Sequence, residues 1–172
     1  THAIQVARAL GATVAVTAGS PEKLARCREL GAQHTIDYRN EDFVARELEL
    51  GGADVIFDIM GASYLDRNVD ALAADGQLVI IGMQGGVKGE LNIGKLIGKR
   101  ARVVGTALRG RPVDGPMGKA DIVAATVGAV WPMIGDGRVH PVIGATMPVQ
   151  QAGEAHALLA GGAVTGKVVL TV

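Results

Sequence analysis

Aromatic side chains are scarce: one Trp, two Tyr and two Phe stand among 172 residues. A core must therefore be assembled from Val, Ile, Leu and Ala, and the stacked-aromatic platforms of single-stranded nucleic-acid binders are missing. Cysteine is limited to Cys27, which excludes an internal disulfide framework and any Cys-x-x-Cys metal site and suits a reducing cytoplasm. Four histidines, His2, His34, His140 and His156, are dispersed with no pair at metal-ligand spacing, so no metal is expected. Charge of one sign is lacking too: 17 basic and 17 acidic residues cancel, and no basic stripe offers itself to a phosphate backbone. Neither a signal peptide nor an apolar run of membrane-spanning length is read in the chain. The expectation is a soluble cytoplasmic protein with neither nucleic acid nor membrane as partner.

What is present is a chain rich enough in apolar residues to fold. Hydrophobic residues at 48% against 20% charged exclude a disordered polymer, and the length allows a substantial core. The stretch Thr13 to Lys23 reads as strand, turn and helix start. Val14 and Val16 alternate with small residues, Ser20 is a good N-cap, and Pro21 suits the first helical position. A helix over Thr1 to Leu10 precedes it, ended by Gly11. After it the pattern predicts a helix to Leu30, a strand His34 to Tyr38, a helix Asp42 to Leu50 and a strand Ala53 to Met60. That last run is apolar on both faces, as a parallel strand covered on each side would be.

The alternation continues with a helix Ser63 to Ala74, a turn at Asp75-Gly76, a strand Gln77 to Met83, a short helix Asn92 to Gly98 and a strand Ala101 to Leu108. Such regular alternation with short connections predicts an α/β fold with a doubly wound parallel sheet. Beyond Leu108 the rhythm changes. A loop leads to a helix Ala120 to Met133, in which Trp131 and Pro132 read as core near a helix end, and then to a strand Val139 to Ile143, a helix Val149 to Leu159 and a final strand Lys167 to Val172. Residues 1–134 are read as a dinucleotide-binding domain and residues 135–172 as a separate C-terminal segment.

Ile4-Gln-Val-Ala-Arg-Ala-Leu-Gly11, Gly19-Ser-Pro-Glu-Lys23, Leu30-Gly-Ala32, Tyr38, Asp58 to Gly61, Gly82, Arg109 and Gly166-Lys167, in this order, resemble the zinc-independent quinone oxidoreductase branch of the medium-chain dehydrogenase/reductase family. The resemblance covers essentially the whole chain. It implies a Rossmann-type sheet whose first strand and glycine-rich phosphate loop would lie before Thr1. The slot of that first strand, central in the order 3-2-1-4-5-6, is then expected to be filled by upstream residues or by a strand such as Lys167 to Val172. In the intact family the final strand belongs with the catalytic domain.

The resemblance also implies a cofactor. An NAD site of this fold carries a carboxylate at the end of the second strand, whereas an NADP site needs donors and positive charge for the 2′-phosphate. Here Thr17, Gly19, Ser20 and Lys23 stand at that place, with no Asp or Glu before Glu22, and Arg26 lies one turn on. Ser20 as a plain cap and Lys23 as a solvated side chain is the alternative. Tyr38 matches a family tyrosine near the adenosine phosphate, or is simply a strand-end tyrosine with a wet hydroxyl. Met60-Gly61 and Gly82-Met83 end two parallel strands and would flank the nicotinamide and its ribose, though the same glycines serve tight turns. Leu108 and Arg109 would edge the nicotinamide pocket and Lys167 matches the closing Gly-Lys motif; a solvated role is the alternative for both cations.

The activity implied is hydride transfer from NADPH to a quinone or activated alkene, with no catalytic side chain required from this half and turnover not expected from it alone. The alternative is a non-catalytic nucleotide-binding or structural protein, crystallin-like, RNA-binding or S-adenosylmethionine-binding. Cys27 is read as a half-buried helix residue. Strand 101–108 is expected at a sheet edge, where two copies would pair into a homodimer.

Overall fold

The computed structural model describes residues 1–172. In chain order its elements are α1 (His2–Ala9), β1 (Ala15–Ala18), α2 (Pro21–Glu29), β2 (His34–Asp37), α3 (Phe43–Glu49), β3 (Ala53–Asp58), α4 (Leu65–Ala71), β4 (Leu72–Ile80), α5 (Ile93–Lys99), β5 (Arg102–Gly105), α6 (Lys119–Gly135), β6 (Ile143–Pro148), α7 (Ala152–Ala160) and β7 (Lys167–Thr171). Three helices begin where a short polar side chain caps them. Ser20 Oγ accepts from the Lys23 N–H at 3.3 Å, Asp42 Oδ1 from Val44 at 3.1 Å and Asn92 Oδ1 from Lys95 at 3.3 Å. The chain divides into two compact units, one of residues 1–37 with 122–172 and one of residues 38–121, a division that does not follow a boundary at residue 134.

In the first unit β1 and β2 run parallel, from Ala15 opposite His34 to Ala18 opposite Asp37. Helix α2 connects them and buries Leu24 and Cys27. Ile4, Cys27, Leu30, Ala32 and Val142 form the core beneath, with Val14 and Val16 packed against it. Gly31 ends α2 at φ +106°, where its missing Cβ leaves room for the Arg8 stem 2.9 Å away. The tail adds a second parallel pair, β6 with β7, joined through α7. Lys167 to Val172 therefore does not fill a slot beside β1 or β3, which excludes one of its two expected occupants, the other being upstream residues. Its backbone groups are taken by β6 from Ile143 to Pro148, and Gly144 allows the approach because a Cβ there would stand 2.6 Å from Thr165 O. Two further expectations are corrected. The strand begins at Ile143, because Val139 and Val142 lie buried in an irregular segment. Trp131 is 60% exposed; Met133, two residues on, is the side chain that α6 buries.

In the second unit β3, β4 and β5 form a parallel sheet in that order, which leaves β5 at an edge as expected, though it runs only from Arg102 to Gly105. Val69, Leu72 and Leu78 are fully enclosed, with Ile56, Leu65, Leu96 and Val103 around them. Each contributes about 1.5–3 kcal/mol by leaving water. Lys95 of α5 sits between Asp66 and Asp70 of α4, 2.7 Å from each, and both carboxylates raise its pKa. Two expectations change. Helix α4 stops at Ala71 because Leu72 already pairs with Ala53, and the Asp75-Gly76 turn is a bulge inside β4 between that pair and Val55–Gln77. Strand β3 is not enclosed on both faces within its unit: Ile56 packs inward, while Val55 and Phe57 are 65% and 60% exposed.

The pair order β2-β1 corresponds to 3-2 of the doubly wound order, and β3-β4-β5 to 4-5-6.

Candidate functional site

All three strands of the second unit end at the same edge, because they are parallel. Met60-Gly61, Gly82-Met83 and Leu108-Arg109 each follow one of them. The turn after β3 is built by a side chain not singled out as a site residue. Asp58 is buried, and its carboxylate accepts the N–H of Met60 at 2.9 Å and of Gly61 at 2.7 Å. An Asp three residues before a Gly at the end of an apolar strand is the sequence signal for such a turn. Gly61 then takes φ +74° and ψ −128°, a conformation closed to other residues.

The loop after β4 is zipped onto this turn. Gln84 and Gly85 donate to the carbonyls of Ile59 and Met60 at 3.1 and 2.7 Å, and Ala62 donates to Gly86 O at 3.1 Å. A Cβ on Gly82 would stand 2.6 Å from Ile59 O, and one on Gly85 would overlap the Ser63 hydroxyl. These glycines serve close backbone approach, and together they shape an open cavity of about 390 Å³ lined by Gly61, Ala62, Leu65, Ile80, Met83 and residues 86–89. Gly61 and Met83 are thus brought to one cavity. Met60 and Gly82 form its scaffold, and Leu108 and Arg109 share the strand edge without lining it.

The other named residues lie elsewhere. Gly19 and Ser20 follow the carboxyl end of β1 in the first unit, and Lys23 is in the first turn of α2. Ser20 caps that helix, and Glu22 lies below the ordinary carboxylate range because its own backbone N–H and then the Ser20 hydroxyl bond its carboxylate. Lys23 takes part in none of the ion pairs of the chain. Tyr38, partly exposed, follows β2 directly and opens the second unit. Lys167 opens β7, in a different sheet from β1 and β2, and its N–H donates to Val142 O at 2.8 Å. Cys27 is buried in the first core, where loss of water pushes its thiol pKa up. No helix is long and apolar enough to cross a membrane.

Comparison with known proteins follows this geometry. Residues 1–127 match the family model of zinc-binding dehydrogenases. A 2-haloacrylate reductase of a Burkholderia species is 31% identical over 95% of this chain and 49% of its own length. A quinone oxidoreductase of Pseudomonas aeruginosa is 32% identical over 98% of this chain and 51% of its own. The solved structure of an NAD-dependent alcohol dehydrogenase superposes with a TM-score of 0.81 at 32% identity, over 99% of this chain and 47% of that one. The chain thus spans about half the length of the curated relatives it matches. A zinc ion does not fit the residues present, since no three His, Cys, Asp or Glu side chains gather where they could hold one. Taken with the strand order and the position of the turns, these matches show that the chain belongs to the zinc-binding dehydrogenase family of medium-chain dehydrogenases and reductases, as the cofactor-binding part of its zinc-independent quinone oxidoreductase branch.

Proposed function

We propose that this chain is the NADPH-binding half of a cytoplasmic reductase that reduces a quinone or an activated alkene. The observation that carries the reading is the turn beyond β1, where Gly19 and Ser20 stand in place of a ribose-binding carboxylate and Lys23 offers an ammonium group without an ion-pair partner. When bound, the nicotinamide supplies the hydride. Lys23 neutralises the 2′-phosphate, Ser20 adds a hydroxyl, and Tyr38 packs near the adenosine end. The turns at Met60-Gly61 and Gly82-Met83 receive the nicotinamide end at the carboxyl edge of the sheet, with Leu108 and Arg109 on that same edge. The names of the two curated relatives, a 2-haloacrylate reductase and a quinone oxidoreductase, favour this activity over a non-catalytic nucleotide-binding or structural role.

NAD in place of NADP is the second reading, and one observation favours it: Glu22, in the first turn of α2, puts a carboxylate beside the place of the phosphate. Isothermal titration of the chain with NADPH and NADH decides between them. Tighter NADPH binding is expected; equal or tighter NADH binding overturns the assignment to Lys23 and Ser20. The exposed edge of β5 serves a homodimer, which light scattering tests; a monomer at micromolar concentration removes it.

A further inference from the structure

We propose that the Asp114-Gly115 step is a self-modification site, at which the aspartate isomerises to isoaspartate and thereby unties the loop that starts α6. The chain holds three Asp-Gly steps, at Asp75, Asp114 and Asp136. A glycine after an aspartate leaves the next backbone nitrogen least hindered for attack on the side-chain carboxyl, so all three share the local chemistry. The fold treats them differently. Asp75 is gripped by Arg100 at 2.8 and 2.7 Å, and its Gly76 is buried, with Ala53 O 2.9 Å from where a Cβ would stand. Asp136 takes three bonds from the Arg138 guanidinium, and the Gly137 N–H donates to Ile134 O at 3.2 Å. The arginine hydrogen bonds hold both carboxyls below the ordinary range and so keep them ionised, the form that gives up no hydroxyl. Asp114 and Gly115 are both exposed. Asp114 takes part in none of the ion pairs of the chain, and a Cβ on Gly115 would meet nothing within 4 Å.

The reaction needs nothing from outside but water. The Gly115 nitrogen bonds to Asp114 Cγ, and the carboxyl hydroxyl leaves with the amide hydrogen as one water, which closes a succinimide ring. Water then adds at one of the ring carbonyls. Opening at Cγ restores aspartate; opening at the backbone carbonyl routes the chain through Cγ, adds a methylene to the main chain and leaves a free α-carboxylate. Atoms balance and nothing is oxidised or reduced. The added methylene falls inside a loop whose ends are fastened together. The Lys119 N–H donates to Pro112 O at 2.9 Å, Ala120 to Val113 O at 3.0 Å, Gly118 to Gly115 O at 2.9 Å, and the Arg111 guanidinium to Met117 O at 3.0 Å. Lys119 and Ala120 open α6, so displacing these acceptors strips the helix of partners for its first N–H groups.

The full chain is aged in buffer and, in parallel, in concentrated urea, and peptide mapping with electron-transfer fragmentation reads aspartate against isoaspartate at each of the three positions. In urea all three are expected to isomerise at comparable rates. In buffer, position 114 should stay within about threefold of its unfolded rate, whereas positions 75 and 136 slow by about tenfold or more, because each must first open locally. Asp114→Glu, whose ring would need one more atom, should abolish the reaction at 114 and leave the other two positions as they were. Equal rates at the three positions in buffer, or a rate at 114 that falls on folding as far as those at 75 and 136, overturn the site. Hydrogen exchange on the separated isoaspartate form reads the consequence for α6. Faster exchange at the Lys119 and Ala120 amides is expected, and exchange unchanged from the native form overturns the untying of the loop.

Discussion

Gln5 clasps the backbone of His140 across 135 residues of sequence: its Oε1 accepts the His140 N–H at 2.9 Å and its Nε2 donates to His140 O at 3.0 Å. The amide is buried at 3% exposure, and a third bond runs from Nε2 to Thr1 O at 3.3 Å. One side chain thus ties α1 to the irregular segment that carries Val139 and Val142 into the first core.

Replacing that amide removes all three bonds at once. Gln5→Ala is expected to lower stability by about 2 kcal/mol, the cost of stranding a partly buried donor and acceptor. Gln5→Glu should be worse at neutral pH, because a carboxylate cannot donate to His140 O and is charged in a dry place. Urea unfolding followed by far-UV circular dichroism measures both; equal stability of all three proteins would contradict the clasp.

Gly61 gives a second test. At φ +74° and ψ −128° a Cβ would lie 2.9 Å from Gly86 O and 3.1 Å from Gly82 O. Gly61→Ala should cost about 1–3 kcal/mol in backbone strain alone and loosen the cavity. Its effect is read as a lowered urea midpoint together with shifted amides at Gln84, Gly85 and Gly86.

Asp75 and Arg100 form a two-pronged ion pair, Nε to Oδ1 at 2.8 Å and an Nη to Oδ2 at 2.7 Å, with both residues in left-handed conformations. The Arg100 hydrogen bonds hold the Asp75 carboxyl below its ordinary range. A lowered folded-state pKa means that the pair stabilises above the unfolded value of about 3.9 and that this contribution fades as pH falls through the folded value. Asp75→Asn keeps the left-handed tolerance and loses the charge. The stability gap between wild type and variant should therefore be constant above about pH 5 and narrow as the pH falls below about 4. A gap independent of pH would assign the difference to something other than this ion pair.

Much of the fold was legible because its signals are local. Ser20, Asp42 and Asn92 cap helices through their own oxygens, so the three helix starts could be read without knowing the neighbours. The errors lie where distant pairing overrides local preference. Ala71-Leu-Ala-Ala74 favours a helix by propensity, yet Leu72 is taken into the sheet by Ala53, nineteen positions earlier in the chain. Trp131 looked like core by residue type, but α6 turns Met133 inward instead. Of the candidate site, the strand-end glycines were visible as a pattern. Asp58 was not singled out, because it acts through two backbone N–H groups.

Glu22 supplies the last prediction. Glu22 stands in the first turn of α2, two residues after Ser20, and Glu22→Gln should remove a charge that repels the 2′-phosphate. The ratio of NADPH to NADH affinity is expected to rise by about fivefold to tenfold, the scale of one charge-assisted contact. Calorimetric titration of both cofactors into both proteins measures it, and an unchanged ratio would place the 2′-phosphate away from this turn.

The interlock of the two strand-end turns also bears on how such a sequence drifts over generations. Gly82 is compelled by Ile59 O, Gly85 by Ser63 and Met60 O, and Gly61 by the carbonyls of Gly82 and Gly86, all of them parts of the protein itself. A descendant that had ceased to hold any nucleotide would therefore retain the same three glycines as long as it still folded. Their presence marks ancestry, not occupation.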